Sequence, residues 1–193
     1  AIIGNRGAGL RANVGDVTVQ NSTISGTQAI PGSNSYGIYH VGGNLFLLDS
    51  TVAFNQGYGV TSGGSGSPVL TMRRSVVALN DGEECIGVSF ISTNIACDES
   101  WTQATLGLGP LTEEAGTLVH PLLPGSPLIN AAGSAATCPS NDQRGYARPI
   151  GTTCDIGAYE SGSTVEALEF VAPTEGTPDV IPLYTDTPTP AAP

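Results

Sequence analysis

Along the first half of the chain, short stretches of alternating apolar and polar residues are separated by glycine, serine and asparagine. Residues 17–24 read VTVQNSTI, residues 45–52 LFLLDSTV and residues 70–77 LTMRRSVV, all on the template apolar-x-apolar-x-x-Ser-x-apolar. Their serines, Ser22, Ser50 and Ser75, stand 28 and then 25 positions apart. Alternation with period two points Val17 with Val19, Leu45 with Leu47 and Leu70 with Met72 to one side of a pleated strand. A weaker fourth copy fits residues 88–95, VSFISTNI. Upstream of the stretches lie Gly-apolar pairs: Gly9-Leu10, Gly37-Ile38 and Gly59-Val60. Self-similarity with a period of about 25 residues marks a solenoid. With two or three short strands per period, the pattern predicts an all-β fold, a right-handed parallel β-helix whose stacked coils bury Val19, Leu47 and Met72 in one column. Asn55 and Asn80 at coil ends, with Gly42-Gly43 and Gly63-Gly64, are expected to supply turns with positive φ.

The pattern divides the chain in three. Residues 1–98 are the coils. Residues 99–160 turn irregular from Trp101, with Gly109-Pro110, Pro121, Pro124 and Pro127, and are expected to close the β-helix. Residues 161–193 carry acidic but no basic side chains and end in Thr-Pro repeats, the composition of an extended linker or a glycosylated stalk. Two apolar islands interrupt that tail, Val165, Leu168 and Phe170 in one, Val180, Ile181, Leu183 and Tyr184 in the other. A first coil starting at Ala1 needs its apolar cross-section covered, by an upstream part or by another molecule.

Charge narrows the partners. Six basic residues against seventeen acidic ones leave a net charge of −11, which repels phosphate backbones and argues against nucleic acid. All six are Arg, so a Lys nucleophile or a Lys-Asn isopeptide cross-link is excluded. No apolar run is long enough to span a bilayer. The four cysteines form two local pairs, Cys85 with Cys97 and Cys138 with Cys154, without the spacing of a zinc site. Disulfides are expected, each closing a short loop beside the solenoid's end, and with them an extracellular or cell-surface location after removal of a signal peptide.

In the closing region the sequence LGLGPLTEEAGTLVHPLLPGSPLINAA is followed by CPSNDQRGYARPIGTTCDIGAYE, which spans residues 138–160. These motifs resemble the C-terminal part of choice-of-anchor Q domain proteins, a bacterial surface family. The resemblance is strong over about residues 94–160 and weaker over the coils. It implies a repeat-rich, exported β-helix closed by this segment and followed by a variable anchor, often through a Thr/Pro linker. Residues 161–193 match the linker and hold no hydrophobic anchor or sorting segment.

The charged cluster Asp142, Arg144, Arg148, Asp155 and Glu160 has two readings. Paired carboxylates beside Arg occur in polysaccharide hydrolases and lyases. Closely spaced Asp and Arg also make structural ion pairs, here Arg144 and Arg148 with Asp142 and Asp155, and this is the expectation. His40 and His120 have no carboxylate or cysteine at ligand spacing, so no metal or cofactor is expected. Arg73-Arg74 reads as a solvated strand face that could meet acidic tails. Asn21-Ser22-Thr23 matches a glycosylation acceptor, but Ser22 is already explained by the repeat. Exposed Ser, Thr and Asn could meet surface glycans, although no aromatic platform is expected to recur with them.

Three functions remain open. The favoured one is an extracellular structural subunit that stacks head to tail into a homopolymer, its tail docking on a neighbouring copy by strand addition. A monomeric surface adhesin or passenger β-helix is the alternative. A polysaccharide-active enzyme ranks last, because Asp16, Asp49, Asp81 and the Glu83-Glu84 pair do not recur at matching coil positions. No enzyme activity is expected.

Overall fold

The computed structural model describes residues 1–63, 69–87, 89–92 (backbone only) and 97–162. The chain winds through β1 (Ile2–Ile3), β2 (Ala8–Ala12), β3 (Val17–Gln20) and β4 (Thr23–Ser25). The next coil repeats this with β5 (Tyr36–His40), β6 (Leu45–Leu48) and β7 (Thr51–Ala53). A further coil follows with β8 (Tyr58–Ser62), β9 (Val69–Arg73) and β10 (Val76–Ala78), then β11 (Cys85–Ile86) and β12 (Ser89–Ser92). Each strand pairs in parallel with its equivalent one coil away. The result is three sheets ordered β1-β4-β7-β10, β2-β5-β8-β11 and β3-β6-β9-β12. This is a β-solenoid of about 3 turns. Among the described residues, helix is confined to one turn, α1 (Gln103–Leu106), and one short 3-10 segment.

The core follows the alternation. Val19, Leu47 and Met72 stand in register, as do Val17, Leu45 and Leu70. Leu47 is fully buried, with Val19 and Met72 8% and 1% exposed. The fourth coil is less regular than the template. Phe90 pairs with Leu70, two residues out of step with the sequence alignment, while the rest of that copy, Val88 and residues 93–95, lies outside the described residues.

Each template stretch bends instead of running straight. Asn21, Asp49 and Arg74 adopt left-handed φ of 45°, 49° and 47°, turning β3 into β4, β6 into β7 and β9 into β10. The serine after each bend holds the corner. Ser22 N–H donates to Ser50 Oγ at 3.2 Å and Ser50 N–H to Ser75 Oγ at 3.1 Å, while the hydroxyls donate to strand carbonyls. A second ladder runs along the other corner. Asn55 Oδ1 accepts from Thr27 N–H at 3.1 Å, Asn80 Oδ1 from Asn55 N–H at 3.1 Å, and Glu84 Oε1 from Asn80 N–H at 3.0 Å. Positive φ therefore belongs not to Asn55 and Asn80 but to the residues before them, Phe54 (56°) and Leu79 (62°). The asparagines satisfy buried amides that the bend strips from the sheets.

The repeated glycines also serve this corner. A Cβ on Gly37 would lie 2.6 Å from Val52 Cγ1, and one on Gly59 2.5 Å from the Glu84 carbonyl oxygen. Close approach, not φ, is what the Gly-apolar pairs record.

Residues 99–160 start at the last described coil of the solenoid, where Glu99 Oε1 accepts from Glu84 N–H at 2.6 Å. They pack along its side, over the sheet β1-β4-β7-β10, whose strands β4, β7 and β10 are buried on both faces. Ala53, Val76 and Ala78 of that sheet form a second core with Leu106, Leu108, Leu122, Leu128 and Ile156. A hairpin of β13 (Thr112–Glu114) and β14 (Thr117–Val119) belongs to this layer. The Cys138–Cys154 disulfide therefore staples the lateral layer, which corrects its expected place at the solenoid's end. Cys85–Cys97 does sit at the last coil, where both residues pack on the main core.

Candidate functional site

The charged residues of the closing segment meet the coils at the corner that follows β6. Asp49 is placed there by its left-handed backbone, and its carboxylate receives Arg74 Nε at 2.5 Å and Nη2 at 2.8 Å. From the closing segment, Arg148 Nη1 approaches Asp49 at 3.6 Å and Arg148 Nε approaches Glu160 at 3.4 Å. Arg148 thus pairs with Asp49 and Glu160, not with Asp155. The reason is local: both oxygens of Asp155 accept backbone amides, Asn130 N–H at 2.7 Å and Ser161 N–H at 2.6 Å. Arg74 is drawn into this network, whereas Arg73 is exposed, so the Arg doublet is not one solvated face.

Asp142 and Arg144 pair as expected, at 2.7 Å. Arg144 also reaches Glu114 at 2.6 Å and lies 3.6 Å above the Tyr159 ring. Asp142 further accepts the amides of Arg144, Tyr146 and Glu160, which fixes the turn around Gly145. Burial opposes the Arg144 charge, but the hydrogen bonds to Asp142 and Glu114 outweigh it and raise its pKa. Arg148 goes the other way: burial dominates the attraction of Glu160 and Asp49 and lowers its pKa. Its Nε and Nη1 lack a hydrogen-bond partner among the described residues, in keeping with the longer ion-pair distances. Burial raises the Glu160 pKa, against the amides of Asp155 and Ile150 that favour its ionised form.

Chemically this constellation is a lock. The side chains of Asp49, Asp142, Arg144 and Arg148 have no solvent exposure. Carboxylates enclosed this way offer no face to a substrate. The lock is joined to the sheet by direct bonds: Gly157 N–H to the Arg74 carbonyl at 2.8 Å, and Ala158 N–H to Thr51 Oγ1 at 3.1 Å. Gly157 is required there, because a Cβ would lie 2.8 Å from Thr51 Oγ1. Asn21 donates to the Asn141 carbonyl at 3.1 Å, so the amide of the possible glycosylation acceptor is engaged by the closing segment.

Both histidines are buried. His120 Nδ1 donates to the Gly109 carbonyl at 2.9 Å and its Nε2 accepts from the Ser25 hydroxyl at 2.9 Å, an assignment forced by the carbonyl being an acceptor only. Burial lowers its pKa, partly offset by Gly109. His40 ends β5 with Nε2 lacking a hydrogen-bond partner among the described residues. Among those residues, no group of three or more His, Cys, Asp or Glu could hold a metal. Both disulfides form, Cys85–Cys97 and Cys138–Cys154, with Cα atoms 5.4 Å and 5.9 Å apart. The tail residues Val165, Leu168, Phe170, Val180, Ile181, Leu183 and Tyr184 lie outside the described residues.

Two residues that sequence reasoning missed are Asp49 and Glu84. Asp49 occupies the corner position held by Asn21 and Arg74 in the neighbouring copies, and that alignment was the available signal. Glu84 ends the asparagine ladder; burial and nearby Glu99 raise its pKa, while donation from Asn80 lowers it.

Fold and site together define a disulfide-bonded parallel β-helix with a laterally locked C-terminal segment. No protein-family model matches the chain, and neither a curated protein nor a solved structure matches it.

Proposed function

We propose that this chain is an extracellular structural subunit that stacks head to tail into a filament, with its tail docking on a neighbouring copy. One observation carries the reading. Among the described residues, β1, β2 and β3 form one edge of the three parallel sheets, around half-buried Ile2, Leu10 and Val17. Among the described residues, the opposite edge is formed by β10, β11 and β12. Each ladder is built by parallel pairing between equivalent strands, and a further coil supplied by a second copy would join by the same pairing. Edge strands of this kind are templates for association, and a head-to-tail contact that does not close propagates. All four cysteines are in disulfides, which suits an oxidising compartment, and no helix among the described residues is long and apolar enough to cross a membrane. The likeness of the closing motif to bacterial surface proteins supports the same location, and the enclosed carboxylates support a non-enzymatic role.

The test is electron microscopy with light scattering on the purified 193-residue chain and on a chain ending at residue 162. Filaments from the longer chain, and folded monomers from the shorter, are expected. Filaments from both would leave coil-end stacking as the whole assembly mechanism. Compact monomers from both, at all concentrations, would overturn the reading in favour of an adhesin or passenger.

A further inference from the structure

We propose that a groove on the outer face of strands β6 and β9 is the seat of the tail, receiving residues 166–170 of a neighbouring copy. The inference rests on the reading that the tail docks on another copy, and it names the place. The motive is a break in the repeat. In β6 the core takes Leu45 and Leu47, and the pleat turns Phe46 and Leu48 to the other face, where they are half-buried. Their register partners on the coil before are Thr18 and Gln20, both exposed, and on the coil after they are Thr71 and Arg73. A face that is polar on both neighbouring coils therefore carries, in the middle, two large apolar side chains that the core does not use. Apolar side chains rimmed by polar ones mark a contact surface.

The surface there is concave. A groove of about 330 Å³ is lined by Phe46, Leu48, Thr71, Arg73, Arg74 and Thr137, the last from the 3-10 segment Ala135–Thr137 of the closing layer. It has room for a few side chains and not for a folded element. Arg74 is held by Asp49, whereas Arg73, the register partner of Leu48, is exposed at the rim. A fitting occupant brings apolar side chains and a carboxylate within one short stretch. Residues 161–193 carry acidic side chains and no basic ones, and residues 165–171 read VEALEFV. With the period of two of an extended segment, Glu166, Leu168 and Phe170 share one side. That side matches the groove, Leu168 and Phe170 for Phe46 and Leu48, and Glu166 for Arg73. The other island, residues 180–184, reads VIPLY, with Pro182 inside it and no carboxylate. Side-chain docking on a sheet face leaves the strand edges free, so tail binding and coil stacking do not compete.

The test is photo-cross-linking on the full 193-residue chain, with a benzophenone amino acid in place of Leu168. Mixing it with isotope-labelled native chain lets mass spectrometry tell contacts between copies from contacts within one. Cross-links between copies are expected at residues 46–48 and 71–73. Their yield should fall about tenfold when the labelled partner is the double variant Phe46→Thr with Leu48→Gln, which takes the first coil's own residues at these positions, Thr18 and Gln20. Arg73→Glu in the partner should lower it about threefold, and Glu166→Arg in the benzophenone chain should restore it. Arg73 is exposed, so its variant keeps the charge test readable even if the double variant fails to fold. Filaments without cross-links in the groove overturn the groove and leave head-to-tail stacking in place. Cross-links in the groove without filaments overturn the polymer and retain the groove. Cross-links confined to one chain, directed to another surface, or unchanged by both the folded double variant and Arg73→Glu overturn the proposal.

Discussion

Leu47 shows how much a single position carries in a narrow solenoid. It lies in the middle of the column between Val19 and Met72, so neighbours on both coils close over it. Leu47→Ala leaves a cavity that the ladders above and below prevent from collapsing, and a loss of about 2–5 kcal/mol is expected in urea denaturation. A loss within about 0.5 kcal/mol would show that the column does not support the fold. His120 gives a residue-scale effect of a different kind. Its folded pKa is depressed by burial, so the unfolded chain takes up the proton first as pH falls through about 6.5. The stability it contributes is present above that range and is lost on acidification through the folded value. Comparing native chain and His120→Phe across this interval isolates the effect: the native chain should lose more stability than the variant. Equal slopes would mean that His120 is as free to protonate folded as unfolded.

At the scale of elements, the corners decide the fold, and they explain what the sequence made legible. Serine and asparagine recur because a tight bend strips amides from the sheets and a short polar side chain restores their bonds. The recurrence of Ser22, Ser50 and Ser75 was readable, as was the column of Leu47. The φ assignment went to the wrong residues because asparagine tolerates a left-handed backbone so well that its ladder role is masked. Phe54 and Leu79, which do take positive φ, carry no such propensity. The same limit hid the stacking of Tyr36 on Tyr58: reading Gly-apolar pairs one residue earlier gives Tyr-Gly-apolar at 36–38 and 58–60. Asn55 tests the ladder. It serves Thr27 N–H, the Ile24 and Ala53 carbonyls and Asn80 Oδ1 at once. Asn55→Ala leaves several of these unsatisfied and buried, at about 1–3 kcal/mol for each group. A loss of at least that order in thermal or urea unfolding is expected, and Asn55→Ala with native stability would show water replacing the side chain.

At the scale of the whole molecule, the closing segment is what makes a three-turn solenoid a two-layered body. Its charges were visible in sequence, but their partners were not, because Asp49 lies about a hundred residues from Arg148 and no local spacing connects them. Buried ion pairs of this sort seldom add net stability over apolar packing, yet breaking one side is costly, since the opposite charge stays buried. Asp49→Asn separates the charge from the backbone. Asparagine occupies the same corner in the first coil, at Asn21 with φ of 45°, so the bend at Asp49, φ of 49°, is retained. What is lost is the carboxylate that faces Arg74 and Arg148, and Arg148 then keeps Glu160, at 3.4 Å, as its ion-pair partner and the Gly157 carbonyl, 2.8 Å from Nη2. A destabilisation approaching about 3–5 kcal/mol is expected, and it should be localised. Amide exchange should accelerate first at Arg148 and Gly157, which dock the segment, while β6 and β7 retain their protection. Uniform acceleration in coils and closing segment alike would instead show that the two layers unfold as one unit, with the ion pairs holding the solenoid itself and not the segment upon it.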